Sequence, residues 1–551
     1  MKIRRFLILC LTAAMLSSFC GMAARAEGED MPSLPERYDL RELGLVTEVK
    51  DQGKYGTCWA FAIANVLESN ALVRGYGKYD LSEYQMAYLC THILSASGSM
   101  TEGEGPTCQE HWLNGPYGGI LSSSLLQGYA IQSEEDYPYS KVEEPLPEDG
   151  VSIDGVLYVD SCYTVPASDT EAMKTLLMKN GALYMCVHAK SWIDEELQYC
   201  DWSTGAVYYP GGNAKYQYID HFISIVGWDD TYSKDHFRIT PPGDGAWIIK
   251  NSWGTKYGDA PVTVGDEVIT SCGDGGFYYI SYYDVSFNYM NSATSITVNR
   301  ERNYDRIYQY DGGVGLQQVN NVTDVLIRFS AEEDGAITGV RIKPTGRLGK
   351  RTFFCGDWTF DPAAATIRVY QGGFDAASAE AGEPVYTQES VIVYPDYQTV
   401  GFDREVAVSK GEEYCVRVTF DRPIYYALDG KQTLYWSYEN AAGGSPGETY
   451  LKIERSKGAA AWYDTSDVPG VSVPCSACIK VLTKDRLSPP DDGGTPATEL
   501  PEPGAENEDS PASDPPAGAI PVWLLPVIGV SAVGAGILIL WIAKKRKKTG
   551  Q

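Results

Sequence analysis

Hydrophobic positions in the first half of the chain follow both helical and strand spacings. One helical face is formed by Ile63, Val66, Leu67 and Ala71. Arg74 and Gly75 follow this face and supply a C-terminal stop signal for the helix. Two mainly apolar runs, residues 221–228 and 247–250, are typical of buried strands. This mixture predicts an α+β domain, which we place at residues 27–295.

The pattern changes near residue 295, beyond which it indicates almost only strands and turns. Short alternating runs such as residues 416–420 are interrupted by Gly, Asp and Pro. This pattern predicts an all-β sandwich domain over residues 296–485. Two folded domains also agree with the length of 551 residues, which is too long for a single hydrophobic core.

Both ends of the chain carry signals for export and membrane attachment. Residues 1–26 combine a basic start, a short apolar run and a small-residue site, which predicts a signal peptide. Residues 520–543 contain no charged residue and precede the basic tail at 544–551, which predicts one transmembrane helix with a cytoplasmic C-terminus. Residues 486–519 are rich in proline and acidic residues, which predicts a disordered linker. We therefore expect the two folded domains outside the cell membrane.

The charge of the chain narrows the range of partners. The formal net charge is −28, and because basic residues cluster at both ends, the body between them is strongly acidic. Phosphate would be repelled, which excludes nucleic acid as a partner.

Outside the cytoplasm, Cys90 with Cys108 and Cys475 with Cys478 are candidate disulfides, and free buried thiols are an equally good interpretation. The isolated cysteine pair at 475 and 478 does not indicate a zinc or redox site, and we predict no metal or cofactor.

Cys58 is the candidate nucleophile. It lies at the start of the predicted helix, where exposed N–H groups and the helix dipole favour the thiolate and predict a lowered thiol pKa. Gln52 precedes it on a loop and can aim its side-chain amide at the same place as the Cys58 N–H. Together these two donors would form an oxyanion hole.

His221 is the best placed of the five histidines to serve as the base. It opens an apolar strand that would hold its imidazole rigidly, whereas the other four lie in irregular stretches or have no partner motif. The second apolar strand ends at Asn251, whose amide oxygen can orient the ring, and Trp253 can shield that hydrogen bond from water. A cysteine, a histidine and an orienting asparagine predict acyl transfer through a thioester.

Taken in chain order, these motifs resemble the papain family of cysteine peptidases. The resemblance rests on Gln52, residues 56–61, the pair Asp220 and His221, and residues 251–254. It implies a two-lobed fold, with one helical and one β-barrel-like lobe, and an acyl-enzyme on Cys58. Gly118 and Gly119 resemble the glycines of the family's substrate cleft, so the resemblance implies that substrate binds there and beside Trp253.

The sequence departs from the family pattern near the nucleophile. Tyr55 and Pro116 stand where the family has a pair of disulfide-bonded cysteines. Phe222 replaces the small residue that usually follows the catalytic histidine. We expect these departures to change local packing more than the chemistry.

The all-β region resembles the lectin-like domain that follows papain-type domains in some bacterial surface proteins. Trp436, Tyr438 and Trp462 can stack on sugars, although general burial tendencies favour a place in the sandwich core. Protein or peptide substrates are therefore the expected partners, with a glycan as a second one. A surface endopeptidase is the favoured function. A non-catalytic adhesin on a papain scaffold and a peptidoglycan amidase or transpeptidase are the alternatives.

Overall fold

The computed structural model covers most of the two predicted domains. It describes residues 33–89, 106–107, 126–147, 152–192, 199–202, 204–212, 219–256, 262–264, 267–269, 273–287, 291–313, 315, 317–348, 358–372, 383–430, 432–434, 438–440, 444–455 and 459–485. The predicted signal peptide, linker, transmembrane helix and basic tail lie outside these residues, as do Gly118, Gly119, Trp436 and the candidate disulfide between Cys90 and Cys108. No helix within the described residues has the length and hydrophobicity needed to cross a membrane.

The first domain is built around one mixed sheet and three described helices. The helices are α1 (Cys58–Val73), α2 (Glu83–Leu89) and α3 (Thr170–Asn180). The strands are β1 (Arg37–Asp39), β2 (Pro106–Thr107), β3 (Ala130–Ile131), β4 (Leu157–Pro166), β5 (Leu183–Val187), β6 (Cys200–Asp201), β7 (Ala206–Val207), β8 (His221–Asp229), β9 (Ala246–Lys250), β10 (Val262–Val264), β11 (Glu267–Ile269), β12 (Phe277–Ser281) and β13 (Ser292–Asn299). The central sheet has the order β3-β4-β13-β5-β8-β9-β12-β7-β6, and β1 pairs with β8. The predicted α+β class of the first domain is thus confirmed.

Helix α1 is a core helix. The sequence pattern predicted one apolar face, yet every residue from Cys58 to Ala71 is buried. Its polar side chains are accommodated by specific hydrogen bonds: Ser69 Oγ donates to Leu45 O at 2.8 Å and Asn70 Nδ2 donates to Asn180 O at 2.8 Å. Because buried polar groups are costly unless they are paired, these bonds fix the helix in one position.

The antiparallel pairing of β8 and β9 brings the predicted histidine and asparagine together. The register pairs Ser224 with Lys250, so the end of β9 lies beside the start of β8. His221 is the first residue of β8, and Asn251 directly follows β9. Two residues that are far apart in sequence therefore lie at the same end of the sheet, next to α1.

The second domain is a sandwich of two sheets. Its strands are β14 (Arg306–Tyr308), β15 (Gln317–Ser330), β16 (Gly335–Ile342), β17 (Pro344–Thr345), β18 (Arg347–Leu348), β19 (Trp358–Thr359), β20 (Ala363–Gln371), β21 (Tyr386–Ile392), β22 (Gln398–Val408), β23 (Glu413–Gly430), β24 (Gln432–Leu434), β25 (Tyr438–Asn440), β26 (Thr449–Glu454), β27 (Ala460–Asp464), β28 (Cys475–Ala477) and β29 (Ile479–Lys484). One sheet has the order β14-β29-β16-β22, and the other has the order β21-β20-β23-β15-β26-β27, with β17 and β28 added against β23. Alternate residues of both sheets form a shared hydrophobic core.

The two domains share strand pairing and hydrophobic packing across the predicted boundary. Strand β13 crosses the predicted boundary at 295/296, and because it pairs with β4 and β5 the first domain's sheet ends at Asn299. Tyr397, Ala427 and Cys478 of the second domain belong to the hydrophobic core of the first. Strand β2 of the first domain also pairs with β25 of the second.

The candidate disulfide between Cys475 and Cys478 is not formed. Both residues are buried free thiols. Cys475 packs in the sandwich core, whereas Cys478 packs in the core of the first domain. The two sulfurs therefore lie in different hydrophobic clusters, and the interpretation as free thiols is the correct one for this pair.

Candidate active site

Cys58 lies at the N-terminus of α1, as predicted, in a buried position. The preceding Thr57 makes no capping hydrogen bond, and its hydroxyl instead shares a 2.5 Å hydrogen bond with Tyr139 Oη. Burial raises the pKa of the Cys58 thiol to about 11, and the backbone N–H groups of Phe222 and Trp59 act in the opposite direction. The position at the helix N-terminus had predicted a lowered pKa for Cys58. The pKa is raised instead, because desolvation of the thiolate outweighs the local dipoles.

His221 is held by Asn251. The imidazole Nε2 and Asn251 Oδ1 are 2.7 Å apart, and the same oxygen accepts a 2.8 Å hydrogen bond from the backbone N–H of Ser252. Two donors on one oxygen fix the orientation of the asparagine amide and thereby that of the ring. Burial lowers the pKa of His221 to about 4, and the hydrogen bond with Asn251 acts in the opposite direction.

Two tryptophans enclose the histidine. The Trp253 ring lies over His221 with centroids 4.7 Å apart and an interplanar angle of 32°, which places it where it can shield the hydrogen bond to the asparagine. Trp192 packs edge-on against both rings, at 6.3 Å from His221 and 6.0 Å from Trp253. Trp192 was missed in the sequence because it follows β5 in a single turn that carries no motif.

Gln52 is anchored to the same segment as the asparagine. Its backbone N–H donates to Ser252 O at 2.9 Å, and Ser252 Oγ donates to Gln52 Oε1 at 2.7 Å. Gln52 Nε2 donates to Tyr55 O at 2.8 Å. Since an amide nitrogen carries two hydrogens, the second one can point at an oxyanion. Tyr139 Oη also holds the loop by donating to Gln52 O at 2.9 Å.

Asp220 adds a negative charge next to the nucleophile. Burial raises the pKa of this carboxyl to about 6, and the backbone N–H of Lys190 donates to it at 3.2 Å. Its charge in turn raises the pKa of Cys58. Asp220 therefore opposes thiolate formation when it is ionised.

A buried ionic cluster supports the strand end that carries the asparagine. Lys250 Nζ donates to Asn65 Oδ1 at 2.7 Å and to Thr47 Oγ1 at 3.0 Å, and burial lowers the pKa of its ammonium group to about 8. Lys50 forms an ion pair of 2.7 Å with Glu83 in the same cluster. One sequence signal points to this cluster, which is a lysine at the end of an otherwise apolar run.

The structure brings five of the seven predicted site residues together. These are Gln52, Cys58, His221, Asn251 and Trp253. Gly118 and Gly119 lie outside the described residues. The side chains and backbone groups that meet here can supply a nucleophile, a base with its orienting partner, and two donors for an oxyanion.

One side-chain group in the described part of the chain has the spacing of a metal site. It consists of Asp311, Asp429 and Cys478, all buried in the second domain. The ammonium group of Lys480 lies 2.7 Å from Asp311 and already neutralises it. A cation there would have to compete with a buried lysine, so the donor set does not fit a metal ion well.

A model of the papain family cysteine proteases matches residues 34–265. Among curated proteins, cysteine proteinase 15A of Pisum sativum is 29% identical over 231 residues, covering 41% of this chain and 56% of that protein. A cathepsin L-like proteinase of Fasciola hepatica is 29% identical over 230 residues, covering 41% of this chain and 59% of that protein. The chain thus spans little more than half the length of these relatives.

Solved structures share the arrangement of both domains. Clostridial cysteine protease Cwp84 after propeptide cleavage superposes with a TM-score of 0.61 at 21% identity, covering 82% of this chain and 99% of that chain. The cysteine protease and lectin-like domains of Cwp84 of Clostridium difficile superpose with a TM-score of 0.60 at 22% identity, covering 83% of this chain and 90% of that chain. At this identity the superpositions establish the fold. The family match shows that residues 34–265 of this chain form a papain-family cysteine protease domain.

Proposed function

We propose that this protein is a cysteine-type endopeptidase whose nucleophile is Cys58. The observation that carries the proposal is the 2.7 Å contact between His221 and Asn251 beside a cysteine at a helix N-terminus. The curated relatives of the first domain are named as cysteine proteinases, which supports the same reaction class. A non-catalytic adhesin would not require an oriented imidazole or a doubly anchored Gln52.

In the proposed reaction, Cys58 is the nucleophile and His221 carries the protons. The Cys58 sulfur attacks the substrate carbonyl carbon, while the Cys58 N–H and the Gln52 amide stabilise the oxyanion. His221 takes the thiol proton and then gives it to the leaving amine, so the C–N bond breaks and a thioester remains. A water molecule, deprotonated by His221, then attacks the thioester and releases the carboxylic acid and the thiol. Asn251 holds the ring in position throughout.

The decisive experiment uses residues 27–485 and casein as substrate. Wild-type protein should cleave casein, an epoxide that alkylates thiols should stop the cleavage, and Cys58→Ala should abolish it. Cys200→Ala is the matched control, because Cys200 is also a buried free thiol of the first domain. Loss of activity in both variants, or cleavage that survives in Cys58→Ala, would contradict the assignment. Release of muropeptides without casein cleavage would instead favour the amidase or transpeptidase alternative.

We further propose that the folded body is displayed outside the cell membrane. The support is the sequence, with a signal peptide at 1–26 and an uncharged run at 520–543 followed by a basic tail. External protease added to intact cells should remove the body and leave the C-terminal tail protected. Protection of the whole chain would contradict this topology.

A glycan is the second proposed partner, through the outer face of the eight-stranded sheet. Trp462 packs there against a small cluster with Tyr450 rather than in the sandwich core, which general burial tendencies had favoured. Arg417 lies 5.2 Å from the centre of the Trp462 ring. A half-buried aromatic ring offers a stacking surface for a sugar. Retention on cell-wall polysaccharide should fall in Trp462→Ala but not in Tyr463→Phe; no retention by wild-type protein would exclude this partner.

A further inference from the structure

The second domain supplies the edge partner for a strand of the peptidase sheet. Cys162 N donates to Tyr397 O at 2.7 Å, and Thr164 N donates to Pro395 O at 3.2 Å. Both donors lie in β4, whose other edge pairs with β13. Without these acceptors, the strand would present unpaired backbone groups at a sheet edge.

Arg341 connects the two domains from inside the interface. It lies in β16, is only 1% exposed, and donates to Leu126 O at 2.9 Å and Val159 O at 3.1 Å. Its Nε donates to Thr399 Oγ1 at 3.1 Å. A buried guanidinium is costly unless its donors are satisfied, and here carbonyl groups of the first domain satisfy two of them. The arginine therefore requires the first domain in its present position.

The contacts continue from this interface to the oxyanion loop. Gln309 Nε2 donates to Gln127 O at 3.1 Å, directly after the carbonyl that Arg341 holds. Two residues further, Tyr129 packs into an aromatic cluster that also contains Tyr139. Tyr139 in turn donates to Gln52 O. A continuous set of packed and hydrogen-bonded groups thus joins the second domain to one of the two oxyanion donors.

We infer that the second domain is a positioning element of the peptidase site, and that Arg341 is its principal contact. The inference rests on the proposed peptidase function. It assigns to the second domain a role in catalysis that is independent of any glycan. Arg341 acts through residues 126–129 and through the aromatic cluster, so its loss should disturb the loop that carries Gln52 and leave the thiol itself in place.

The test replaces Arg341 with Met in the protein comprising residues 27–485. We expect kcat for a peptide amide to fall about tenfold or more, while the rate of Cys58 alkylation by iodoacetamide changes less than about twofold, since that reaction needs no oxyanion hole. Arg341→Lys should restore part of the activity. Arg306→Met is the matched control, because Arg306 forms ion pairs of 2.7 Å with Glu332 and 3.0 Å with Asp485 within the second domain. It should lower stability without lowering kcat.

Hydrogen exchange separates this inference from the proposed function. In Arg341→Met, amide exchange should rise in residues 126–131 and in the loop at Gln52, and in Arg306→Met it should not. An inactive wild-type protein would refute the peptidase proposal. The exchange result would still show whether the second domain is coupled to the loop at Gln52. Unchanged kcat together with exchange confined to the second domain would overturn the inference. If Arg341→Met does not fold, Gln309→Leu removes the neighbouring contact and should give the same pattern at smaller amplitude.

Discussion

Ser252→Ala removes one hydroxyl that holds the oxyanion loop and leaves the nucleophile and the base untouched. The lost bond is the buried 2.7 Å contact from Ser252 Oγ to Gln52 Oε1. A neutral hydrogen bond contributes about 0.5 to 1.5 kcal/mol net, and 1.36 kcal/mol corresponds to a factor of ten. We therefore expect kcat to fall by about 2- to 13-fold. The fall should stay within this range because the amide nitrogen remains tied to Tyr55 O.

The assay compares two reactions of the same thiol. Peptide hydrolysis needs the oxyanion donors, whereas alkylation by iodoacetamide does not, so only hydrolysis should slow in Ser252→Ala. A Gln52→Ala variant should lose about 100-fold or more in kcat, the usual cost of one oxyanion donor. Adding Ser252→Ala to Gln52→Ala should then cost nothing further, since the serine acts through the glutamine. Parallel loss of alkylation and hydrolysis, or fully additive effects, would refute this reasoning.

The other predictions concern the charges around and beyond the site. Asp220→Asn removes a charge that raises the pKa of Cys58, so the midpoint of Cys58 alkylation should move to lower pH. The gain in alkylation rate should appear mainly above about pH 6, where Asp220 is ionised. A shift of the alkylation midpoint to higher pH would contradict this prediction. His221→Ala should move the alkylation midpoint up toward the value of about 11 that burial imposes, and an unchanged midpoint would show that the imidazole does not stabilise the thiolate. Asp311→Asn leaves the fully buried Lys480 without its 2.7 Å partner, and urea unfolding should show a loss of about 3 to 5 kcal/mol. A loss below about 1 kcal/mol would mean that the buried lysine is neutral.

The residues of the candidate site could be located from the sequence because each lies at or next to the end of an element with a readable pattern. Cys58 begins a helix, His221 begins an apolar strand and Asn251 directly follows another. Trp192 could not be predicted, since it lies in a single turn without periodicity. Lys250 stands in an apolar strand, and its burial becomes understandable only once its hydrogen-bond partners on α1 and the N-terminal segment are known. Patterns along the chain locate elements, whereas contacts between elements depend on the fold.

The interface between the domains illustrates the same limit. Arg341 and the carbonyl of Leu126 are separated by 215 positions, and an arginine in an alternating strand pattern reads as a solvent-facing residue. The predicted domain boundary at 295/296 falls within β13 for a related reason. β13 has the alternating pattern of the second region, yet it completes the sheet of the first domain. Local pattern cannot say which of two sheets a strand joins.

The pKa of Cys58 shows how two correct local arguments can oppose each other. A helix N-terminus favours a negative charge by about 0.3 to 2 kcal/mol, which is at most about 1.5 pKa units. Full burial can cost 3 to 5 pKa units, so desolvation wins for the thiol alone. Burial also lowers the pKa of His221, because imidazolium loses water in the same way. A proton that passes from Cys58 to His221 creates both charges together, and their mutual attraction replaces part of the lost hydration. The buried site therefore suits a thiolate that exists only with its imidazolium partner, which confines the reactive form to a folded, correctly oriented pair.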